Sequence, residues 1–558
     1  MKKYILSTSI LGLFAISAFA QEATYTDIYF NQPLSTDYSP WSDAYYFQNT
    51  SSWNVGSLEG EVLNVSPNNS SYNLFIVGTA QRSGGTFLLP GYNIKNWDIH
   101  DITFNLTSQT FFSFTTPSDK NFNVGGDFTA EVATNNWGSG SFRLALEGSA
   151  TASIAGNLYI KNTTSFPEGN TKTHNNGVEF FVEHSGTGLY TSSFILDGDV
   201  IMSDNGLFTY EKGWSRENYF NSRIKLAFSV SYSEIKGTVN LAETTEGDRV
   251  IDLFRNNISD TDAKFSEATR LFGGINGTGS ILIGATVAKT VDLVFTNSKS
   301  QSFKGALAGG NTSSVLNITM DASSPKAKQA MHIVEDHAAK QKDGENTAFY
   351  DNIAISSVSV INGTFELGTY ADMKNGSLYI SGKDAKFVVG GAEVETLGSV
   401  NFTSAAISAG SLGIAFNQNV YGSLTISAGD STEEGAGSFY VADPSSFTIT
   451  LDYIPVEDSI LTEQLADFGG EMDLGTIISF EETNLTAENI TNDIIVKIVD
   501  QNGNAISGVE AMLSAIIDND KVIGIGAIIS SAAVPEPATV AGIFGLFALA
   551  FVAYRRRK

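Results

Sequence analysis

The chain has 558 residues, with 33 lysines and arginines against 60 aspartates and glutamates, so its formal net charge at pH 7 is -27. So acidic a chain would repel nucleic-acid phosphates instead of releasing their counterions, which excludes nucleic acid as a partner. The chain has no cysteine, which excludes disulfides, thiolate catalysis and cysteine-bound metals.

The first twenty residues have the composition of an export signal. Lys2 and Lys3 form a basic start, residues 4–16 form a short apolar run, and Ala18 and Ala20 place small residues where signal peptidase reads the chain. An uncleaved anchor is the alternative, but the apolar run is short for a membrane span. We therefore expect residues 1–20 to be a secretory signal peptide that signal peptidase removes.

Residues 21–95 are rich in aromatic and turn residues, and we predict an N-terminal cap over the end of a strand stack. A second interpretation is that these rings stack on sugars, with Trp41 and Trp53 as the candidates. The tryptophans of the chain all lie in its first 214 residues: Trp41, Trp53, Trp97, Trp137 and Trp214. Because large aromatic side chains are usually buried, the cap interpretation leads.

Residues 96–452 alternate apolar and polar side chains, which is typical of half-buried β-strands. Representative apolar positions are Ile102, Phe104, Phe128, Ala130, Phe142, Leu144, Leu158, Ile160, Val178 and Phe180. Turn residues separate these runs, as in Gly125-Gly126-Asp127, Gly156-Asn157 and Asp197-Gly198-Asp199. The pattern predicts many short strands in a solenoid, a sandwich or a barrel.

A short repeated pattern favours the solenoid. A glycine, a serine or threonine, and two apolar residues one position apart recur in the stretches 274–282, 293–307, 362–367, 375–380 and 421–426. This pattern resembles the autotransporter-associated β-strand repeat, whose implied fold is a right-handed parallel β-helix. We therefore predict an all-β fold, an irregular right-handed parallel β-helix or solenoid with capping regions and coils of roughly 20 to 25 residues.

Two segments depart from the strand pattern. Ser324 and Pro325 provide the start signal of a helix, and the Ala- and Lys-rich residues that follow predict a helical insertion at 325–342. After residue 452 the pattern changes again, and we predict a small C-terminal β region at 453–533 with a hairpin turn near Asp500.

The last 25 residues combine a Pro-containing block, an apolar segment and a basic end. The block consists of Val534, Pro535, Glu536 and Pro537, and the basic end consists of Arg555, Arg556, Arg557 and Lys558. Between them, residues 537–554 carry no charge and would span about 27 Å as a helix, close to the thickness of a hydrocarbon core. We predict a single transmembrane helix there, with the basic residues on the cytoplasmic side.

This tail, residues 534–558, resembles the PEP-CTERM sorting signal of Gram-negative, often biofilm-forming, bacteria. The resemblance implies recognition by an exosortase, cleavage near the Pro-Glu-Pro block, and release or attachment at the cell surface. It also implies that residues 538–554 contact the membrane before processing.

Three patterns raise catalytic or metal-binding alternatives. His332, Glu335 and Asp336 would share one face of the predicted helix, but a solvated helix face is the commoner meaning of such a pattern. Asp197, Asp199 and Asp204 provide carboxylates of the kind that glycosidases pair, whereas acids at turns are far more frequent. A third pattern, the calcium-loop start at residues 500–504, lacks the required glycine and glutamate further on, which favours a hairpin turn.

We therefore expect an exported cell-surface or extracellular structural or adhesion protein, associated with exopolysaccharide or biofilm matrix and sorted by an exosortase. It is expected not to be an enzyme and to need no cofactor or metal. Two alternatives stay open: a polysaccharide lyase or glycoside hydrolase on a β-helix, and a carbohydrate-binding surface protein.

Overall fold

The computed structural model describes the interior of the chain with gaps. The described residues are 24–30, 53–64, 66–78, 86–90, 96–106, 110–132, 140–163, 178–185, 191–204, 224–241, 249–255, 265–333, 351–353, 355–368, 374–390, 399–417, 421–429, 431–432, 434–455, 460–467 and 470–531. The predicted signal peptide and sorting tail, with Ala18, Ala20 and residues 534–537 and 555–558, lie outside them. Among the described residues, no helix is long and apolar enough to cross a membrane.

The described residues form forty strands in three hydrogen-bonded ladders, named A, B and C here. Ladder A contains β1 (Thr26–Phe30), β2 (Trp53–Val55), β3 (Glu61–Val62), β4 (Tyr72–Gly78), β7 (Asp101–Leu106), β10 (Phe128–Val132), β13 (Leu158–Asn162), β16 (Val200–Asp204), β19 (Val239–Asn240) and the start of β22 (Ile275–Ile283).

Ladder B contains the end of β22, and its later strands line the cleft described below. Its other members are β5 (Thr86–Pro90), β8 (Thr110–Thr116), β11 (Gly140–Glu147), β14 (Val178–Ser185), β17 (Ile224–Ser229), β20 (Arg249–Asp252), β24 (Gln301–Gly309), β26 (Lys328–Ile333), β27 (Asp351–Asn352), the end of β28 (Ile355–Gly368), β30 (Ala385–Val389), β32 (Ser411–Phe416), β35 (Thr448–Tyr453) and β38 (Ile495–Val499).

Ladder C contains the start of β28 and the strands on the remaining side of the coil. The others are β6 (Trp97–Ile99), β9 (Asn121–Val124), β12 (Thr151–Ile154), β15 (Ser193–Leu196), β18 (Tyr232–Ile235), β21 (Glu267–Phe272), β23 (Thr290–Phe295), β25 (Val315–Asp321), β29 (Lys374–Ile380), β31 (Ser399–Ile407), β33 (Ser423–Ile426), β34 (Ser438–Val441), β36 (Glu471–Phe480), β37 (Glu482–Thr483), β39 (Val509–Asp518) and β40 (Lys521–Ser531).

Up to β22 the chain visits the three ladders in turn, so most strands pair in parallel with their counterpart one coil later. In ladder A, Ile102 pairs with Phe128, Phe128 with Leu158, and Leu158 with Val200. Alternate side chains of these strands point inward and are buried, as the period of two predicts. The prediction of an all-β, mostly parallel fold is confirmed.

The inward side chains form one long core. Phenylalanines from successive coils lie within contact distance along it, with ring centroids 5.8 Å apart for Phe104 and Phe128 and 5.1 Å apart for Phe128 and Phe180. Rings at such separations add to the stabilisation that burial of their area provides. The core therefore continues from coil to coil without a break into separate domains along this stretch.

One corner of the coil repeats a side-chain hydrogen bond. The Oδ1 atom of Asp101 accepts from the backbone N–H of Asp127 at 2.7 Å, and Asp127 Oδ1 accepts from Asn157 at 2.6 Å. In the same way Asn157 Oδ1 accepts from Asp199 at 2.9 Å, and Asp199 Oδ1 accepts from Thr238 at 2.7 Å. These bonds form the corner ladder, which links five successive coils.

In the Gly-Asp and Gly-Asn (Gly-Asx) dipeptides of this corner, the first residue is glycine because the coils approach too closely for a side chain. A Cβ atom at Gly198 would lie 2.2 Å from the carbonyl oxygen of Gly156, and one at Gly156 would lie 2.6 Å from that of Gly126. The Gly-Asp and Gly-Asn dipeptides are thus a signature of the corner.

Coil length differs between the two halves of the solenoid. Between residues 101 and 238, successive bonds of the corner ladder span 26, 30, 42 and 39 residues, so the expected 20 to 25 residues are wrong there. In the later half, Glu267 pairs with Thr290, Lys386 with Ser411 and Ser399 with Ser423, and these coils have the expected length. The parallel ladders fix which residues pair across a coil, while the connecting loops vary in length at little entropic cost.

Ladder A ends at β22, and the coil continues with ladders B and C. Ile275 pairs with Val239 of the preceding coil. On its other side, the side chain of Gln329 takes the place of a strand, because its Nε2 donates to Ile275 O and its Oε1 accepts from Ile275 N, both at 3.0 Å. Asn297 Nδ2 donates to Gln329 Oε1 at 3.1 Å and holds the amide in position.

The helix predicted at 325–342 is wrong over residues 328–333, which form strand β26 between β24 and β28. Ser324 and Pro325 start a turn instead, in which Ala327 N donates to Ser324 O at 3.0 Å. Serine and proline suit both a helix start and a tight turn, and pairing on both sides decides in favour of the strand. Residues 334–342 lie outside the described residues.

The C-terminal region combines ladder strands with an antiparallel unit. Strand β40 pairs antiparallel with β36 and with β39, and a short helix, α1 (Leu461–Asp467), precedes β36. Strand β35 crosses the predicted boundary at residue 452, and β38 continues ladder B beyond it. The antiparallel unit is therefore built directly onto the last coils.

Candidate functional site on the outer face of ladder B

The side chains of ladder B that point away from the core carry most of the described ion pairs. Several of these residues are nevertheless buried, among them Glu183, Lys225 and Asp252. A buried charge is tolerated when a partner of opposite charge compensates for the water it has lost. The outer face of ladder B is therefore the candidate location of a site.

The first group on this face is a closed network of opposite charges. Lys225 Nζ lies 2.8 Å from Asp252 Oδ2 and 3.7 Å from Glu179 Oε1. Arg255 Nη1 lies 2.6 Å from the other oxygen of Glu179, and its guanidinium lies 4.4 Å from the ring centre of Phe181. Because every charge has a partner, this network ties strands β14, β17 and β20 together and has the properties of a structural cluster.

Arg143 and Glu183 form a second pair beside this network. Burial lowers the pKa of Arg143 to about 10, and the charge of Arg255 adds to this effect while Glu179 opposes it. The guanidinium is still protonated at neutral pH. The pair therefore stays ionic and links β11 to β14.

His332, which the sequence placed in a metal-binding pattern, lies in strand β26. Its Nε2 atom lies 2.7 Å from Glu366 Oε1, and Lys328 Nζ lies 2.9 Å from Glu366 Oε2. Burial raises the pKa of Glu366, but the hydrogen bond with His332 and the charge of Lys328 outweigh burial and leave the pKa lowered. Glu335 and Asp336 lie outside the described residues. Within the described residues, no group of three His, Asp or Glu side chains could hold a metal ion.

A cleft of about 420 Å³ lies further along the same face. Its charged lining residues within the described chain are Lys383, Lys386 and Lys497. We call it the lysine cleft. A volume of this size is in the range of ligand sites, and a purely cationic lining is unusual in a chain with a net charge of -27.

Four strands of ladder B position this lining. Lys386 on β30 is in register with Ser411 on β32, which is in register with Thr448 on β35. Two residues further along β35, Thr450 is in register with Lys497 of β38. Side chains from alternate positions of parallel strands share one face, so these five residues line the same side of the sheet.

One lysine of the cleft is held by an acidic residue that does not line it. Lys386 Nζ lies 2.6 Å from Asp452 Oδ2. Burial raises the pKa of Asp452, and the charge of Lys386 and hydrogen bonds from Lys386 and Thr450 offset this in part.

Gly413 lies between these groups because a side chain would displace them. A Cβ atom there would lie 2.9 Å from Lys386 Cε and 3.1 Å from Asp452 Oδ2. The glycine therefore leaves the space in which the lysine reaches its partner.

The carboxylates that the sequence offered as a catalytic group have other partners. Asp197 pairs with Lys236 at 2.7 Å, and Asp199 belongs to the corner ladder. The side chain of Asp204 lies outside the described residues. Asp500 accepts from the backbone N–H groups of Asn502 and Asn504 at 2.9 and 2.8 Å, which is the geometry of a turn.

The tryptophans are not surface platforms where the structure describes them. Trp53 is fully buried and its ring lies 5.2 Å from that of Phe30, and Trp97 is buried as well. Trp53 thus belongs to the core, and its proposed role in sugar stacking is wrong. Trp41, Trp137 and Trp214 lie outside the described residues.

Comparison of the chain with family models, with curated proteins and with solved structures found no match in any of the three. The lysine cleft was not found from the sequence, since its residues come from four strands of different coils. The dipeptides Gly126-Asp127, Gly156-Asn157 and Gly198-Asp199 are the sequence signal of the corner ladder, because they mark the same corner in three successive coils.

Proposed function

We propose that the protein is an exported structural or adhesion protein of the cell surface or extracellular matrix, sorted through its C-terminal tail by an exosortase. The signal-peptide pattern at residues 1–20 and the tail at 534–558 support export and sorting. The parallel stacking of coils supports a right-handed β-helix that acts as a rigid spacer in an exopolysaccharide or biofilm matrix.

The contacts of the acidic residues support the structural role. Asp127 and Asp199 join one coil to the next through the corner ladder, and Glu179 and Asp252 are held in ion pairs between strands. Acids employed in this way stabilise a long scaffold. A glycosidase would instead need two carboxylates free to face a substrate.

The sorting role rests on how the tail is built. Because proline disfavours helix, we expect Pro535 and Pro537 to keep the chain around Glu536 open to a transpeptidase at the outer membrane boundary. The basic residues at 555–558 resist transfer through the membrane and fix the depth of the apolar helix.

Processing of two tail variants tests the proposal. Replacing Pro535 and Pro537 with Ala should extend the helix through the cleavage region and block processing, although membrane insertion is kept. Replacing Arg555, Arg556 and Arg557 with Gln should instead give partial processing. The anchored and released fractions are compared by immunoblot of membrane and medium. If the double Pro variant is processed like the wild type, the sorting proposal fails.

A further inference from the structure

The charges of the lysine cleft indicate an anionic ligand. Lys383 and Lys497 are exposed, and Lys497 has no acidic partner within the described residues. Lys383 has its neighbour Asp384 at 3.7 Å, with its own side chain 90% exposed. Lysine ammonium groups bind carboxylates and phosphates as point charges. Two exposed lysines beside Lys386 therefore form a local cationic site on an acidic protein.

The length of the lysine cleft indicates an extended ligand. Lys383, just before β30, and Lys497 on β38 are separated by the intervening strands β32 and β35. Three spacings of roughly 4.8 Å place the backbones of β30 and β38 about 14 Å apart. Lys386 between them is held by Asp452, so a chain with repeated charges is the ligand that can contact both exposed lysines.

The neutral lining indicates a ligand that carries hydroxyl groups. Ser411, Thr448 and Thr450 line the cleft between the lysines, and each hydroxyl can both donate and accept a hydrogen bond. Thr450 is 7% exposed, and its hydroxyl bonds to Asp452. Ser411 and Thr448 are half-buried, so their hydroxyls are the ones within reach of a ligand.

The backbone of the lysine cleft argues against a peptide ligand. Extended peptides usually bind by adding a strand to an open sheet edge. Strands β32 and β35 lie inside ladder B, with a neighbour on each side. Their backbone groups are already used in the ladder, so the side chains alone are available for recognition.

We propose that the lysine cleft binds a carboxylate-bearing saccharide chain, with the exposed Lys383 and Lys497 on its carboxylates and the hydroxyl side chains on its hydroxyl groups. The inference deepens the proposed function, and it rests on that function for the source of the saccharide, which is the matrix around the cell.

Binding of a fluorescent oligogalacturonate to the exported protein, followed by anisotropy, tests this site. A neutral malto-oligosaccharide of equal length should not compete, and rising salt should weaken binding because the contacts are ionic. Poly-L-glutamate and inorganic phosphate are the other competitors. Full competition by poly-L-glutamate at equal charge would identify an acidic-peptide site, and full competition by phosphate would identify a single-anion site; either result overturns the proposal.

Three variants locate the binding. Replacing Lys383 and Lys497 with Gln should weaken binding about tenfold or more. Lys299→Gln removes the same charge from an exposed turn outside the cleft and should leave the affinity unchanged. Thr448→Val should weaken binding, because the variant removes a half-buried hydroxyl that lines the cleft and keeps a side chain of similar size.

The proposal is overturned if the double Lys variant binds like the Lys299 variant, or if Thr448→Val has no effect on affinity. These outcomes are independent of export. A protein that binds the uronate but keeps its tail contradicts the proposed sorting alone, and a correctly processed protein that does not bind contradicts the lysine cleft alone.

Discussion

The side-chain amide of Gln329 forms with Ile275 the two hydrogen bonds that a neighbouring strand would form. Gln329 Nε2 donates to Ile275 O and Gln329 Oε1 accepts from Ile275 N, both at 3.0 Å, across 54 residues of sequence. Ile275 belongs to the last strand of ladder A, and both residues are fully buried. A side chain thereby closes a ladder edge that water cannot reach.

Gln329→Leu should therefore destabilise the protein by about 2 to 4 kcal/mol, since it leaves a buried N–H and a buried carbonyl unpaired. Chemical denaturation gives the free energy of unfolding. Gln301→Leu on the adjacent strand is the matched control, because its amide bonds to the hydroxyl of Thr238 and not to a ladder edge. Equal losses in the two variants would show that Gln329 does not close the ladder.

Asp127→Ala should lower the free energy of unfolding by about 1 to 2 kcal/mol, because Asn157 N loses its acceptor at the corner. Asp127→Asn keeps an acceptor oxygen and should stay close to the wild type. Asp197→Ala, which removes an exposed acid near the same corner of a later coil, should have little effect. A stable Asp127→Ala protein would mean that the corner ladder does not hold the coils together.

Glu366 makes stability depend on pH in a defined direction. Its pKa is lowered below the ordinary 4.5, so the unfolded chain binds the proton more readily and the contribution is present above pH 4.5 and lost as pH falls through the folded pKa. Glu366→Gln should cost about 3 kcal/mol at neutral pH. The difference in the free energy of unfolding between the variant and the wild type should shrink in acid. A difference that stays constant down to about pH 3.5 would contradict the pairing of Glu366.

Much of the local structure could be predicted, because inward residues such as Phe104, Phe128 and Leu158 alternate with polar ones over short distances. The pairing between coils could not be predicted, since bonds of the corner ladder span between 26 and 42 residues and the loops between them share no fixed length. The helix predicted at 325–342 failed for a related reason. Its start signal is local, whereas its actual partners, β24 and β28, are distant in sequence.

Arg270 shows another limit of sequence patterns. It points inward from β21, fully buried, and donates to the carbonyl oxygens of Leu253 at 2.9 Å, Thr269 at 3.0 Å and Val230 at 2.8 Å. Burial lowers its pKa to about 9, and the charge of Asp252 opposes this. The sequence alone predicts that an arginine lies on the surface, because the carbonyl groups that bind it are known only from the fold. The lysine cleft was missed likewise, since its residues converge only after folding.

The intact mass of the mature protein, purified from cells with a working exosortase, tests the central claim most directly. Export and sorting predict a species that begins at Gln21 and lacks Arg555, Arg556, Arg557 and Lys558. A mature species that begins at Met1 would contradict export through the signal peptide, and one that keeps the four basic residues would contradict sorting through the tail.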